Sequence, residues 1–355
     1  MNDLGTECMG VDLVCPVCKG TLDRGEGLLS CQKCGKEWRA PGGIADLRLS
    51  PARYWGEYPE DVMDRLVARC REAGWNAALK EFFLERDPQY YDYTLDKRRA
   101  DWHLLVPIGR ESRILDAGCG WGTLSFALAG VYREVVALDA VRQRVEFIDI
   151  RSKSEGLKNL TPVCGQVGSL PFPDGYFDLV VLNGVLEWVP MMEEGVSPAT
   201  AQMGALKEVL RVLKKGGYLY LAIENRWAAI NFLGFKDTHS GLRFVTLMPR
   251  FLANIYSRAV RGKDFREYTW TYWEHRRMLR KAGFSDARFY APLPTYRRFY
   301  YMLPIKDSSK IKFFLRSMAF PRNDMQRFFI LAANSFFLYK IARYFVPDFS
   351  IVARR

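Results

Sequence analysis

Four of the eight cysteines in this 355-residue sequence fall in one short stretch: Cys15-x2-Cys18, twelve residues, then Cys31-x2-Cys34. Each C-x-x-C pair makes a tight knuckle whose two sulfurs can face one ion. Two knuckles on facing hairpin turns give a closed tetrahedral thiolate site for zinc. Such a site has no open position, so its expected role is structural: about 35 residues cannot build an adequate core alone. Cys8, Cys70, Cys119 and Cys164 show no ligand spacing and read as small apolar residues. A second constellation is Asp116-x-Gly118-x-Gly120-x-Gly122, followed by Asp139. The glycines allow backbone to approach a ligand closely. Asp139 stands about twenty residues further on, where a dinucleotide-type fold places the acid that accepts hydrogen bonds from ribose hydroxyls. Asp116 would repel a pyrophosphate but would suit an ammonium group.

These residues need elements to position them. Arg113-Ile-Leu-Asp-Ala reads as a buried strand running into the glycine turn, and the helix after it has Leu124, Ala127, Leu128 and Val131 on one face. Val135-Val-Ala-Leu, Thr161-Pro-Val-Cys, Phe177-Asp-Leu-Val-Val-Leu-Asn and Tyr218-Leu-Tyr-Leu-Ala-Ile-Glu continue as strands. A helix over residues 203–215 is expected to end on Lys214-Lys215-Gly216-Gly217. This alternation predicts an α/β, doubly wound, mostly parallel sheet. Three segments are expected: residues 1–49 around the cysteines, an aromatic-rich helical lead-in over 50–112, and the α/β domain over 113–355.

Ile114-Leu-Asp-Ala-Gly-Cys-Gly-Trp-Gly, Leu138-Asp139, Leu170-Pro-Phe-Pro-Asp-Gly-Tyr-Phe-Asp178 and Leu213-Lys-Lys-Gly-Gly217 together resemble the class I S-adenosylmethionine-dependent methyltransferases. Residues 11–49 look like the zinc-ribbon family that partners or fuses with such enzymes. The resemblance implies a Rossmann-like, seven-stranded sheet with S-adenosylmethionine as cofactor. It also implies roles. Asp116, Gly118 and Gly120 would hold the methionine end, and Asp139 the ribose. Val167 would lie along the adenine. Asn183 and Gly184 would lie beside the sulfonium methyl. Where the family often has Gly-Asp-Ala, this chain has Gly165-Gln166-Val167. Gln166 can still accept a hydrogen bond through its amide oxygen.

Thr271-Tyr-Trp-Glu274 looks like a capping box opening a helix that ends at Gly283. Residues 287–291 and 349–353 read as the antiparallel pair with which the family closes its sheet. That leaves residues 225–270 and 297–348 as insertions capping the active site. Glu224-Asn-Arg-Trp, Asp237-Thr-His-Ser-Gly-Leu and Tyr290-x-Pro-x-Pro-x-Tyr296 resemble methyltransferases of glycan or secondary-metabolite pathways. This implies O-methylation of a sugar or other hydroxylated small molecule. A ribosomal or transfer RNA methyltransferase and a quinone or lipid methyltransferase are the alternatives. Methyl transfer to a hydroxyl needs its proton removed. His239, shortly after the fifth strand with Asp237 two residues away, is the expected base, and Glu224 the alternative.

Composition bounds the partners. Hydrophobic residues make up 49% and charged residues 26%, which excludes a disordered or fibrous chain. The net charge of +12 divides into −5 over residues 1–225 and +17 over 226–355. A basic half suits phosphates or an anionic membrane surface. Residues 328–345 mix aromatics with flanking Arg327 and with Lys340 and Arg343 and could lie on such a surface, whereas the most apolar stretch, Phe328–Tyr339, is too short to span it. With no apolar leader at the start, the expected location is the cytoplasm, with peripheral contact at the inner membrane surface.

Overall fold

The computed structural model describes residues 10–50, 56, 58–193, 195–317, 324, 327, 328, 330, 331 and 339–355, and among these described residues eleven strands run along the chain. Cys8 and much of the stretch expected to lie on a membrane, residues 332–338 included, lie outside the described residues. The chain divides into two units: residues 1–183, 204–219 and 355 form the first, residues 184–203 and 220–354 the second.

The first unit begins with three short antiparallel strands, β1 (Leu22–Gly25), β2 (Leu28–Cys31) and β3 (Glu37–Arg39). Its main sheet uses β4 (Arg113–Ala117), β5 (Glu134–Asp139), β6 (Leu160–Cys164), β7 (Phe177–Asn183) and the first half of β8 (Leu213–Glu224), in the order β8-β7-β4-β5-β6. The β4–β5, β4–β7 and β5–β6 pairs are parallel. Ile114, Leu115, Val135, Val136, Val180 and Val181 are all buried, as continuous apolar runs require in strands covered on both faces. In the lead-in, helix Glu60–Ala73 buries Met63, Leu66, Val67 and Cys70, one stripe at helical spacing.

The three-stranded module is stitched into this unit. The Val14 N–H donates to the Pro171 carbonyl (3.0 Å), and Lys19 Nζ pairs with Glu208 Oε2 (2.8 Å). Beyond β3, Asp46 bridges in parallel to Cys164, the last residue of β6, so the module's tail lies along that strand. The Leu170-Pro-Phe stretch therefore serves as the seat for the first cysteine knuckle.

The second unit carries the other half of β8, with β9 (Asp286–Thr295), β10 (Arg298–Pro304) and β11 (Asp348–Arg354) in the order β10-β9-β11-β8. The expected capping box is present: Thr271 and Glu274 exchange hydrogen bonds at the start of helix Tyr272–Ala282, and Gly283 ends it at φ 113°.

Two expectations are corrected here. The main sheet has eight strands, because β10 forms a hairpin with β9 where an insertion was expected to start. Prolines 292 and 294 argue against a strand, since neither can donate to a ladder. They are tolerated because β11 pairs only with residues 286–290 of β9, leaving one side of the proline-bearing segment without a strand. The helix before β8 is Pro198–Val212, so Lys214 and Lys215 fall in the strand. Lys214 bonds both carboxylate oxygens of Asp178 at 2.9 and 2.8 Å. The region 225–270 has its own small core of Leu242, Val245, Ala253, Phe265 and Tyr268. No helix among the described residues is long and apolar enough to cross a membrane.

Candidate active site

In the first unit, the glycine turn forms because three residues adopt conformations that favour glycine: Gly118, Gly120 and Gly122 have φ of 77°, 56° and 76°. A Cβ on Gly122 would meet Ile148 at 2.9 Å, whereas one on Gly120 would meet nothing within 4 Å. Packing thus excludes a side chain at Gly122, while the backbone at Gly120 faces open space. The turn is held to the end of β5 by N–H groups of Gly118 and Cys119 donating to the Leu138 carbonyl. Asp139 supports it further, accepting from Gly120 N (2.8 Å) and Val141 N (2.9 Å). Asp116 is buried and accepts from Ser125 Oγ at 2.6 Å; burial raises its pKa to about 6.

The lead-in helices pack on the same turn. Trp121 Nε1 donates to the Tyr90 hydroxyl (3.0 Å), and Thr123 Oγ1 to the Thr94 carbonyl (2.5 Å). Arg99 lies over the Tyr93 ring at 3.6 Å. Gln166 and Val167 sit after β6, and the Gln166 amide oxygen accepts from Leu49 N (3.2 Å). The oxygen expected to face an adenine is thus already shared with the tail of the cysteine module. Asn183, the last residue of β7, has a buried Oδ1 without a hydrogen-bond partner among the described residues. Open space over Gly120 and an unpartnered polar atom at Asn183 fit a bound cofactor. Asp116, Gly118, Gly120, Asp139, Gln166, Val167 and Asn183 all belong to this unit.

The cysteine knuckles are built alike. Cys15 N and Cys31 N donate to the carbonyls of Gly20 and Lys36, and Lys19 and Gly35 have positive φ at matching positions. Gly20 is required because a Cβ there would lie 2.6 Å from Lys33 and within 3.3 Å of two cysteine sulfurs. The Cys15–Cys34 and Cys18–Cys31 sulfurs are 3.7 and 3.4 Å apart. Tetrahedral zinc with bonds of about 2.3 Å sets its sulfurs about 3.8 Å apart, so the four cysteines fit that ion.

The second unit holds the other group of chemical interest. The His239 side chain is 1% exposed, with Nε2 3.6 Å from Glu224 Oε2 and 3.8 Å from Glu187 Oε1. Its Nδ1 faces Asp237 Oδ1 at 3.7 Å, and the Trp188 ring meets the imidazole edge-on at 5.0 Å. Asp237 is positioned by its own turn, accepting from Ser240 N (2.7 Å) and Ser240 Oγ (2.6 Å). Glu224 Oε1 accepts from the Tyr296 hydroxyl (3.0 Å) and Arg297 (3.3 Å), which leaves Oε2 for the cluster. Gly184 makes room for Tyr296, whose hydroxyl would lie 2.6 Å from a Cβ there. Asp348, also buried, accepts from Tyr296 N at 3.1 Å.

Crowded buried carboxylates shift one another. Burial and the charge of Glu224 raise the Glu187 pKa to about 8, and the same two causes raise Asp348 to about 8. For His239, burial opposes the charge, but Asp237, Glu224 and Glu187 prevail and raise its pKa to about 9. The cluster can therefore take up protons or hold a cation. Of its members, His239, Glu224 and Asp237 were expected from sequence, whereas Glu187, Tyr296 and Asp348 were not assigned roles. For Glu187 the available signal was an acid between Leu186 and Trp188, just past the carboxyl end of β7, where such sheets hold their ligands.

The family profile described as a methyltransferase domain matches residues 115–221. A demethylmenaquinone methyltransferase of Anoxybacillus flavithermus is 30% identical over 202 residues, covering 54% of this chain and 77% of the relative. Its counterpart in Geobacillus kaustophilus is 29% identical over 202 residues, with 54% and 78% covered. Among solved structures, the YcgJ protein of Bacillus subtilis matches with a TM-score of 0.40 and 17% identity, over 72% of this chain and 97% of that one. The chain belongs to the S-adenosylmethionine-dependent methyltransferases of class I.

Proposed function

We propose that the chain O-methylates a hydroxylated small molecule, a sugar or glycan unit among the candidates. The observation that carries this reading is the buried cluster of His239, Glu187 and Glu224, because transfer to a hydroxyl requires a group that stabilises loss of its proton. S-adenosylmethionine supplies the methyl group. Asp116, Gly118 and Gly120 would hold its methionine end, Asp139 the ribose, and Gln166 and Val167 the adenine, with Asn183 and Gly184 beside the methyl. His239 and Glu224 would handle the acceptor hydroxyl. The sulfur geometry supports zinc on Cys15, Cys18, Cys31 and Cys34, holding the knuckles closed and presenting the tail that touches Gln166. The relatives from A. flavithermus and G. kaustophilus favour a second reading, a quinone-type ring acceptor.

The test is methyl transfer from isotopically labelled S-adenosylmethionine to a panel of hydroxylated sugars, hydroxylated aromatics and demethylated naphthoquinones, with products located by mass spectrometry and NMR. An O-methyl ether is expected. Asp139→Ala should weaken cofactor binding by about 2 kcal/mol through loss of charge-assisted hydrogen bonds and suppress the product at limiting cofactor. Methylation of ring carbon alone would overturn the O-methyl reading in favour of the quinone one.

A further inference from the structure

Within the second unit, both carboxylate oxygens of Glu187, both ring nitrogens of His239 and Oε2 of Glu224 are buried without a hydrogen-bond partner among the described residues. Polar atoms are seldom left this way, because burying an unpaired charge is costly. Here three of them converge: one ligand atom each from Glu187, Glu224 and His239 lies within 4.8 Å of the others. Divalent cations with bonds of about 2.1 Å set neighbouring ligands about 3.0–3.4 Å apart. The separations of 3.6 and 3.8 Å at His239 Nε2 stand a few tenths of an ångström outside the upper end of that range, and all three ligand atoms lie within 4.8 Å of one another, so the side chains would draw in around a bound ion.

We propose that Glu187, Glu224 and His239 hold a divalent cation whose open positions take oxygen atoms of the methyl acceptor. This deepens the proposed O-methylation and rests on it for the choice of oxygen ligand; the cation site itself stands on the geometry. Three further features fit. Asp237 faces Nδ1, the arrangement that orients a ligating imidazole and directs Nε2 at the ion. Tyr296 and Arg297 occupy Glu224 Oε1 and leave Oε2 turned toward the site. Oxygen and imidazole donors select Mg2+, Mn2+ or Zn2+ over softer ions. Three protein ligands leave coordination positions open, as reactive sites do and the closed four-cysteine site does not. A hydroxyl bound there gives its proton to solvent water more readily, so the oxygen is presented as its anion. In this form His239 is a neutral ligand and the cation takes over the task assigned to a base.

Manganese tests this, since Mn2+ prefers oxygen and nitrogen donors to the four thiolates. Mn2+ is titrated into the full chain and followed by electron paramagnetic resonance, with S-adenosylhomocysteine binding measured on the same samples as the check on folding. One bound Mn2+ per chain is expected. Its affinity should fall at least tenfold in Glu187→Gln and in His239→Gln, and by less in Asp237→Asn. No binding up to millimolar Mn2+, or equal binding in wild type and both ligand variants with cofactor binding intact, would overturn the site. Methyl transfer to oxygen without bound Mn2+ would leave the proposed function standing and remove only the cation. Bound Mn2+ without any oxygen methylation would do the reverse.

Discussion

The two groups of side chains in this molecule that could hold a metal ion are built in opposite ways. Cys15, Cys18, Cys31 and Cys34 come from two adjacent knuckles, each closed by its own backbone hydrogen bonds and a residue of positive φ. Glu187, Glu224 and His239 come from three separate segments and are positioned by neighbours, Asp237 on one side and Tyr296 and Arg297 on the other. A site assembled locally can close around its ion and stabilise a small module. One assembled from distant segments needs a folded unit first, and then has open positions to spend on chemistry. The two should therefore fail differently: disruption of the cysteines should appear in folding and cofactor affinity, disruption of the histidine cluster in turnover.

The largest effect is expected at the cysteines. Structural zinc contributes on the order of 10 kcal/mol in small modules, so Cys31→Ser should lose the metal and unfold residues 10–50. Because Leu49 N bonds Gln166 and Arg48 donates to the Ala140 carbonyl, the loss should also weaken binding of S-adenosylhomocysteine. Metal content, hydrogen exchange and calorimetry on one sample check this. Unchanged cofactor affinity in a zinc-free variant would show that the module closes independently of the cofactor pocket.

A second contrast lies between two buried imidazoles of the second unit. His239 is surrounded by carboxylates, whereas burial pushes His275 down to about pH 3 in its pKa, with no carboxylate acting against it. His275 packs edge-on near Phe349 and stays neutral when folded. Its folded pKa lies below the unfolded value of about 6.5, so its contribution to stability is present above pH 6.5 and is lost as pH falls toward 3. The loss is at most about 1.4 kcal/mol per pH unit. His275→Leu should flatten the acid limb of urea midpoints measured between pH 6.5 and 4. An identical slope in wild type and variant would contradict neutral burial.

How much could be read beforehand follows from the same distinction. Cys15 to Cys34, the turn from Asp116 to Gly122, Asp139 and the Thr271–Glu274 capping box are local patterns, and each spacing has a backbone reason. Glu187 and Asp348 are single acids in apolar surroundings, and only tertiary structure brings them toward Glu224 and His239. Strand β10 lay inside the insertion expected over residues 297–348; its partners on β9 are three to fourteen residues away, but they form an edge that sequence does not reveal. The Gln166 amide oxygen was expected to be able to accept from a ligand, and its sharing with Leu49 is likewise a tertiary fact.

In the proposed reaction the His239 cluster activates the acceptor. Steady-state turnover of His239→Ala on the acceptor found by the labelling panel, with S-adenosylhomocysteine affinity measured alongside, tests it most directly. A fall in kcat of about 100-fold or more with cofactor affinity unchanged is expected. Near-normal turnover in a variant that binds cofactor normally would contradict it.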